Sequence, residues 1–223
     1  MIDIVPTAVP RDQGELAATM DKVFAFSDKI HLDINDGVFV SQVSWPYLGP
    51  DMYGSADITI PPGRTVQAHM MVSEPRALGL HLIQAGVTSI VGHIEACANH
   101  ADAESMLAAW RAAGAREVGL AILINTPTRD IEPCIQWCDV VQVMSVATIG
   151  AQGAAFDPRA IERVREIRKA HPQVKIAVDG GVSPSNIGEL IAAGASRFCV
   201  GSAIMQAPDP EAAFRSMLSA TIS

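Results

Sequence analysis

The chain alternates short apolar runs, rich in β-branched residues, with segments that carry apolar residues at helical spacing. Eight such runs cover residues 2–9, 29–34, 66–71, 88–94, 118–123, 140–144, 174–178 and 197–200. Strands and helices that alternate at a period of roughly thirty residues predict right-handed crossovers and a parallel sheet. Eight such units in one domain predict a closed (β/α)8 TIM barrel, an α/β fold that would span residues 1–223.

Local signals support this prediction. Gly86, Gly114 and Gly194 each follow a helical stretch and precede a strand, at the point where a left-handed residue lets the chain turn back. One unit is irregular, because residues 44–62 contain four prolines and two glycines. We therefore expect the second helix to be short or to be replaced by a loop.

The formal net charge of the 223-residue chain is -8. An acidic chain repels phosphate backbones, so nucleic acid and anionic membranes are not expected as partners. The four cysteines form no C-x-x-C pair, and the first residues show neither a leader pattern nor a long apolar run. Free thiols and no targeting segment predict a cytoplasmic protein. An anionic small substrate would need a local binding device in such a chain.

Four polar residues lie at or near the carboxyl ends of predicted strands. Active sites of this fold lie at that end of the barrel. His31 and Asp33 are two residues apart on one strand and therefore share a face, His69 ends the next strand, and Asp179 ends the seventh. Two imidazoles and two carboxylates that converge on one cavity suit a divalent ion such as Zn, Fe, Mn or Co. Taken singly, a histidine at a strand end is more often a core or turn residue than a metal ligand, and an Asp before Gly-Gly is commonly a turn former. His93 also ends a strand, where it could support the site or belong to the core.

Two glycine-bearing segments indicate how a phosphate could be held. Gly180 and Gly181 follow the seventh strand, and Gly201 and Ser202 follow the eighth. In barrels of this kind the loops after these two strands bind phosphate through backbone N–H groups and a helix N-terminus. Residues 145–156, which include Gly150 and Gly153, form a long segment of small residues. It could fold over a ligand as a lid, or it could be a plain flexible loop.

Four motifs occur in order along the chain: H-x-D-x-x-D-G at 31–37, H-x-M at 69–71, V-M-S-V at 143–146 and V-D-G-G at 178–181. Together they resemble the ribulose-phosphate 3-epimerase family over nearly the whole sequence. The resemblance implies a metal-dependent isomerase that inverts carbon 3 of a phosphorylated ketose through an enediolate. It implies that His31, Asp33, His69 and Asp179 hold the metal and that Asp33 and Asp179 are also the acid/base pair. One base on each face of the planar intermediate is what inversion requires.

The same resemblance suggests a set of substrate-binding residues. They are Thr7, Asn35, Met71, Met144, Gly150, Gly153, Gly180, Gly181, Gly201 and Ser202. The chain departs from the family pattern at several places, two of which lie at the expected site. Asn35 stands where the family usually has a methionine, and the family's N-P-G-F-G-G-Q lid is replaced by A-T-I-G-A-Q-G at 147–153. An amide at position 35 could hydrogen-bond a sugar hydroxyl, so these departures bear on which ketose is bound.

The first substrate to expect is therefore D-ribulose 5-phosphate, interconverted with D-xylulose 5-phosphate in the pentose phosphate route. Allulose 6-phosphate or a tetrulose phosphate is an alternative, and so is a non-catalytic sugar-phosphate-binding barrel. A Schiff-base aldolase is disfavoured, because the lysines, at positions 22, 29, 169 and 175, lie at strand beginnings or in helices. The family is commonly oligomeric, which predicts a homo-oligomer.

Overall fold

The computed structural model describes residues 2–150 and 152–221. Eight parallel strands close into a barrel. They are β1 (Asp3–Ala8), β2 (Lys29–Asn35), β5 (Thr65–Met71), β6 (Ser89–His93), β7 (Glu117–Ile122), β8 (Val140–Met144), β9 (Lys175–Asp179) and β10 (Arg197–Val200). Around the barrel they follow the order β1, β10, β9, β8, β7, β6, β5, β2. The predicted (β/α)8 TIM barrel fold is confirmed.

Seven α-helices connect and flank the strands. They are α1 (Gln13–Phe24), α2 (Pro75–Gln84), α3 (His100–Ala112), α4 (Arg159–Ala170), α5 (Ile187–Ala193), α6 (Ser202–Met205) and α7 (Pro210–Ala220), all within the described residues. Short polar side chains begin several of them, because a side-chain oxygen can accept from a free N–H group of the first turn. Asp12, Asn99 and Asp209 do so for α1, α3 and α7. Among the described residues no helix is long and apolar enough to cross a membrane.

Two of the eight units lack a regular α-helix. Between β2 and β5 the chain forms a small antiparallel hairpin, β3 (Tyr47–Gly49) with β4 (Met52–Tyr53), where the prolines predicted a short helix or a loop. Between β7 and β8 it forms two 3-10 helices, Thr128–Asp130 and Glu132–Trp137. The left-handed glycines predicted after three helical stretches are confirmed, since Gly86, Gly114 and Gly194 all have a positive φ of 101 to 112°.

The strands are buried on both faces, as parallel strands under a layer of helices must be. Leu120 and Ile122 of β7 pack in the large apolar core that also includes the helices. Ala121, between them, belongs to a separate small cluster with Val91, Val140 and Ala177. Because side chains alternate along a strand, this second cluster lies inside the barrel and the first surrounds it.

Ion pairs join the strands at their amino-terminal ends. This end of the barrel is opposite the end where the predicted site lies. Asp3 of β1 contacts Lys29 of β2 at 2.8 Å and Arg197 of β10 at 3.2 Å. Glu117 of β7 is paired with Arg197 and with Lys175 of β9. These five side chains link strands that are distant in sequence but meet around the closed sheet.

Candidate active site

The four predicted metal ligands come together at the carboxyl ends of their strands. Asp33 of β2 lies directly opposite His69 of β5 in the strand register, and His31 lies two residues before Asp33 on the same face. Asp179 ends β9. All four side chains are buried, and each offers one ligand atom so that these atoms lie within 4.8 Å of one another. The cluster is thus built from three strands of one sheet.

The four side chains lie so close together that the charge on each one depends on the others. Nδ1 of His69 lies 2.8 Å from Oδ1 of Asp33 and 3.4 Å from Oδ2 of Asp179. Nε2 of His31 lies 3.2 Å from Oδ1 of Asp33 and 3.7 Å from Oδ2 of Asp179. Two carboxylates buried this close need positive charge between them, because an uncompensated buried charge costs several kcal/mol.

The pKa values reflect this mutual dependence. Burial alone would raise the pKa of the Asp33 carboxyl, but the imidazoles of His31 and His69 hold it well below its usual value. Burial alone would lower the pKa of His69, but Asp179 and Asp33 raise it to about 9. A positive charge is therefore favoured at the position between these groups.

The donor set fits a divalent cation. Among the described residues, the fully buried Nε2 of His31 makes no hydrogen bond, whereas Nδ1 of the same ring lies 2.6 Å from Oε1 of Gln67. A buried ring nitrogen without a partner, facing two carboxylates, has a free lone pair for a metal. Two imidazole nitrogens and two carboxylate oxygens suit Zn, Fe, Mn or Co better than the all-oxygen sets that Mg or Ca prefer. The residues His31, Asp33, His69 and Asp179 could therefore hold such an ion.

A cavity opens directly above the cluster. Asp33 and Asp179 line it, together with nine of the ten predicted substrate-binding residues: Thr7, Met71, Met144, Gly150, Gly153, Gly180, Gly181, Gly201 and Ser202. His31 and His69 are fully buried and do not line it. The tenth residue, Asn35, is also fully buried and is not part of the lining. Its Nδ2 donates to the carbonyl of Gly150 at 2.9 Å, so it contacts a residue of the cavity lining.

The glycines after β9 allow a close approach that side chains would prevent. Gly180 and Gly181 have φ values of +113° and +62°. A Cβ on Gly180 would lie 2.6 Å from Val146, and one on Gly181 would lie 2.7 Å from the backbone of Phe156. The 145–156 segment therefore packs directly on the turn that follows Asp179.

The segment that was predicted as a lid or a flexible loop crosses the cavity, and its described residues bind the opposite strands. Nε2 of Gln152 donates to the carbonyl of Thr7 on β1 at 2.7 Å, and Asn35 of β2 binds Gly150 as described above. Ala151, which was part of the predicted lid, lies outside the described residues. Two side-chain hydrogen bonds therefore tie this segment to β1 and β2.

Several supporting residues were missed or left open by the sequence analysis. Gln67 contacts His31, and Nε2 of Gln142 donates to Oδ2 of Asp179 at 3.1 Å. His93, left open between site and core, has Nε2 2.9 Å from Nε2 of His69. Strand periodicity offered a signal, because Gln67 lies two residues before His69 and Gln142 two before Met144, each on the inner face.

Comparisons with known proteins agree with this geometry. The model of the ribulose-phosphate 3 epimerase family matches residues 3–205. The ribulose-phosphate 3-epimerase, cytoplasmic isoform, of Oryza sativa subsp. japonica is 30% identical over 93% of this chain and 89% of its own. The ribulose-phosphate 3-epimerase of Escherichia coli (strain K12) is 31% identical over 92% of this chain and 90% of its own.

Among solved structures, 3-hexulose-6-phosphate synthase from Salmonella typhimurium superposes with a TM-score of 0.68, covering 99% of both chains at 17% identity, a likeness of fold alone. The family match spans all eight barrel strands and the positions of the four candidate ligands. The chain therefore belongs to the ribulose-phosphate 3-epimerase family and is an isomerase of the epimerase class.

Proposed function

We propose that the protein is a metal-dependent 3-epimerase of a phosphorylated ketose, with D-ribulose 5-phosphate and D-xylulose 5-phosphate as the first substrate pair. The observation that carries this proposal is the buried cluster of His31, Asp33, His69 and Asp179 at the base of a cavity that both aspartates line. The family relatives, named ribulose-phosphate 3-epimerases, support the choice of substrate.

The two aspartates supply the acid/base chemistry in this proposal. β1 and β10 separate β2 from β9, so Asp33 and Asp179 approach the cavity from strands three positions apart in a ring of eight. One carboxylate removes the C3 proton of the ketose, and the other, as the carboxylic acid, returns a proton to the opposite face. A divalent ion held by His31, Asp33, His69 and Asp179 would supply Lewis acidity for the negative charge that develops on the sugar oxygens.

The surroundings of the aspartates are suited to this reaction. Met71 and Met144 line the cavity beside them and present apolar surface to the planar intermediate. Gln142 is fully buried and donates to Asp179, which fixes the direction of one carboxylate oxygen. A rigid base in a water-poor site transfers protons with little reorganisation, which is how preorganised sites lower barriers.

The phosphate would be held by the loops that follow β9 and β10. Gly180, Gly181, Gly201 and Ser202 lie after β9 and β10 and line it. The acidic chain needs such a local device, and main-chain N–H groups of loops at these two strand ends are the usual one in this fold. Residues 145–156 would exclude water from above.

The proposal is tested by isotope exchange. The protein is stripped of metal, reloaded with Zn²⁺, Fe²⁺, Mn²⁺ or Co²⁺, and incubated in D₂O with D-ribulose 5-phosphate. We expect D-xylulose 5-phosphate to form with deuterium at C3, in the reloaded protein only. If no ketose phosphate exchanges its C3 proton with any of these ions, the proposal is wrong.

The two-base assignment has its own test. Asp33→Asn and Asp179→Asn are each expected to slow epimerisation by at least about 100-fold. Each variant should still exchange the C3 proton of one epimer, and the two variants should differ in which epimer that is. Metal content is measured on both variants, because each aspartate is also a candidate ligand. Exchange of both epimers by either variant would contradict the assignment.

A second substrate remains as an alternative because of Asn35. Its Oδ1 is fully buried and has no hydrogen-bond partner among the described residues. An unpartnered acceptor could accept a hydrogen bond from a hydroxyl group of allulose 6-phosphate or of a tetrulose phosphate. Comparing kcat/KM for the three ketose phosphates decides between them: the highest value for a hexulose or tetrulose phosphate would replace the first choice.

A further inference from the structure

The candidate ligand His69 is connected to a carboxylate outside the ligand set. Nδ1 of His69 faces Asp33, and Nε2 on the other side of the ring lies 2.9 Å from Nε2 of His93. Nδ1 of His93 lies 3.1 Å from Oε2 of Glu95. Both imidazoles are fully buried, and Phe39 packs on His93 with ring centroids 4.9 Å apart. The His93 ring is thus held in place on several sides.

The carboxylate sets the direction of every hydrogen bond in this relay. A carboxylate only accepts, so His93 must donate to Glu95 from Nδ1. A neutral imidazole has one N–H group, so Nε2 of His93 is an acceptor and Nε2 of His69 donates to it. A neutral His69 then carries its proton on Nε2. Its Nδ1 lone pair is therefore free on the side of Asp33 and Asp179.

A chemically equivalent relay supports His31. Oε1 of Gln67 lies 2.6 Å from Nδ1 of His31, and Nε2 of the same amide donates to Oγ of Ser89 at 3.2 Å. Ser89 in turn donates to Oε1 of Glu117 at 2.7 Å. Because the amide nitrogen faces this acceptor network, the amide oxygen faces His31, which must donate from Nδ1 and leave Nε2 free. The side-chain amide of Gln67 accepts from His31, as the imidazole of His93 accepts from His69 in the first relay.

We propose that Glu95, acting through His93, is a positioning residue that fixes His69 in the tautomer whose Nδ1 lone pair can bind a metal. The proposal rests on the metal site of the proposed function. Glu95 is not one of the residues that line the cavity, and the hydrogen bonds through His93 connect it to His69. Partners of this kind are known to orient metal-binding histidines and raise metal affinity.

The nearly isosteric change Glu95→Gln reverses the relay. Oε1 of Glu95 accepts from the main-chain N–H of Leu123 at 2.8 Å, so the oxygen of the new amide stays there and its NH₂ group faces His93. His93 must then accept at Nδ1 and carry its proton on Nε2, which faces His69. We expect Zn²⁺ affinity, measured by competition with a chelating dye, to fall about 10- to 100-fold.

Two further variants separate polarity from packing. His93→Gln keeps an acceptor towards His69 and a donor towards Glu95, so it should keep a Zn²⁺ affinity close to that of the unsubstituted protein. His93→Leu removes both groups and should lower affinity as Glu95→Gln does. Glu104→Gln, the same change on the exposed surface of α3, is the matched control and should change nothing.

A spectroscopic measurement reads the tautomer directly. In metal-free protein labelled with ¹⁵N-histidine, we expect the proton of His93 on Nδ1 in the unsubstituted chain and on Nε2 in Glu95→Gln. Circular dichroism and thermal unfolding report whether each variant is folded before its metal affinity is compared.

The outcomes distinguish this inference from the proposed function. If the unsubstituted protein binds Zn²⁺ and Glu95→Gln binds it equally well, the inference is overturned and the epimerase proposal stands. A His93→Gln variant that loses as much affinity as His93→Leu would also overturn it. If the unsubstituted protein binds none of the four metals, the metal site itself is wrong and both proposals fall.

Discussion

Asn35 lies on the inner face of β2, and it departs from the family pattern. It lies two residues beyond Asp33, is paired in register with Met71, and uses only one half of its amide. Nδ2 donates to Gly150, while Oδ1 has no partner among the described residues. A buried acceptor without a partner costs free energy, which a ligand hydroxyl could recover.

Asn35→Met tests this at the residue scale. Methionine restores the usual family residue but can neither donate to Gly150 nor accept from a hydroxyl. If the substrate uses Oδ1, kcat/KM for D-ribulose 5-phosphate should fall about 10-fold, the effect of one hydrogen bond. Thermal unfolding is measured alongside, to show that the variant is folded. An unchanged or increased kcat/KM would mean that the free oxygen does not contact substrate.

At this scale the sequence predicted which side chains meet but not what supports them. His31 and Asp33 could be placed on one face because strand side chains alternate, and His69 and Asp179 because parallel strands end at one edge. The roles of Gln67 and Glu95 depend on which atom of each group faces its neighbour. That depends on strand register and on partners such as Leu123, which periodicity does not specify.

Two helical glycines differ in how much space they leave for an added Cβ. Gly79 of α2 lies against the indole of Trp110 on α3, and a Cβ there would be 2.3 Å from Nε1. Gly188 of α5 has nothing within 4 Å of the corresponding position. Both have ordinary helical backbone, so space and not conformation separates them.

Gly79→Ala is therefore expected to lower the free energy of unfolding by about 1–3 kcal/mol, because α2 and α3 must move apart. Gly188→Ala should raise it by about 0.5–1 kcal/mol through helix propensity and the loss of unfolded-state freedom. Urea unfolding of both variants measures the pair. Equal effects of the two changes would show that close packing of α2 on α3 does not limit this position.

At the scale of elements, the eight strands were predictable because each is a short apolar run between turn signals. Their predicted ends agree with the structure to within one residue; for example, 66–71 was predicted and β5 is Thr65–Met71. The hairpin of β3 and β4 was foreseen only as a loop, because prolines exclude a helix without specifying what replaces it. The 3-10 helices between β7 and β8 were not foreseen, since short apolar spacing does not separate them from α-helix.

In the whole molecule, the candidate chemistry and the ion pairs occupy opposite ends of the barrel. Burial alone would raise the pKa of the Glu117 carboxyl, but hydrogen bonds from Arg197 and Lys175 lower it to about 2. The ordinary value is 4.5, so the folded state favours the ionised form. This stabilisation is complete above pH 4.5 and is lost as pH falls from there towards 2.

Glu117→Gln should therefore lower the free energy of unfolding by about 3 kcal/mol at pH 7, because Arg197 and Lys175 lose a buried partner. The difference between the variant and the unsubstituted protein should shrink between pH 4.5 and 2. Urea unfolding at a series of pH values measures it, with the exposed Glu189→Gln as the matched control. A difference that stays constant with pH would contradict the role given to ionised Glu117.

Two sequence expectations concern the molecule in its surroundings and stay predictions: a homo-oligomeric state and a cytoplasmic location. Light scattering coupled to size exclusion measures the first, and a mass equal to one 223-residue chain would show it to be wrong.

The two ends of the segment that crosses the cavity are joined by backbone contacts. Ser145 donates from its main-chain nitrogen to Asp179 and accepts from that of Asp157, each at 2.7 Å, and Val146 pairs with Phe156. The two ends of the segment are thus clasped together whatever lies between them, and extra residues in such a loop cost little closure entropy. Insertions in this segment can change the shape of the cavity to fit longer or bulkier sugars, while the candidate catalytic residues keep their alignment.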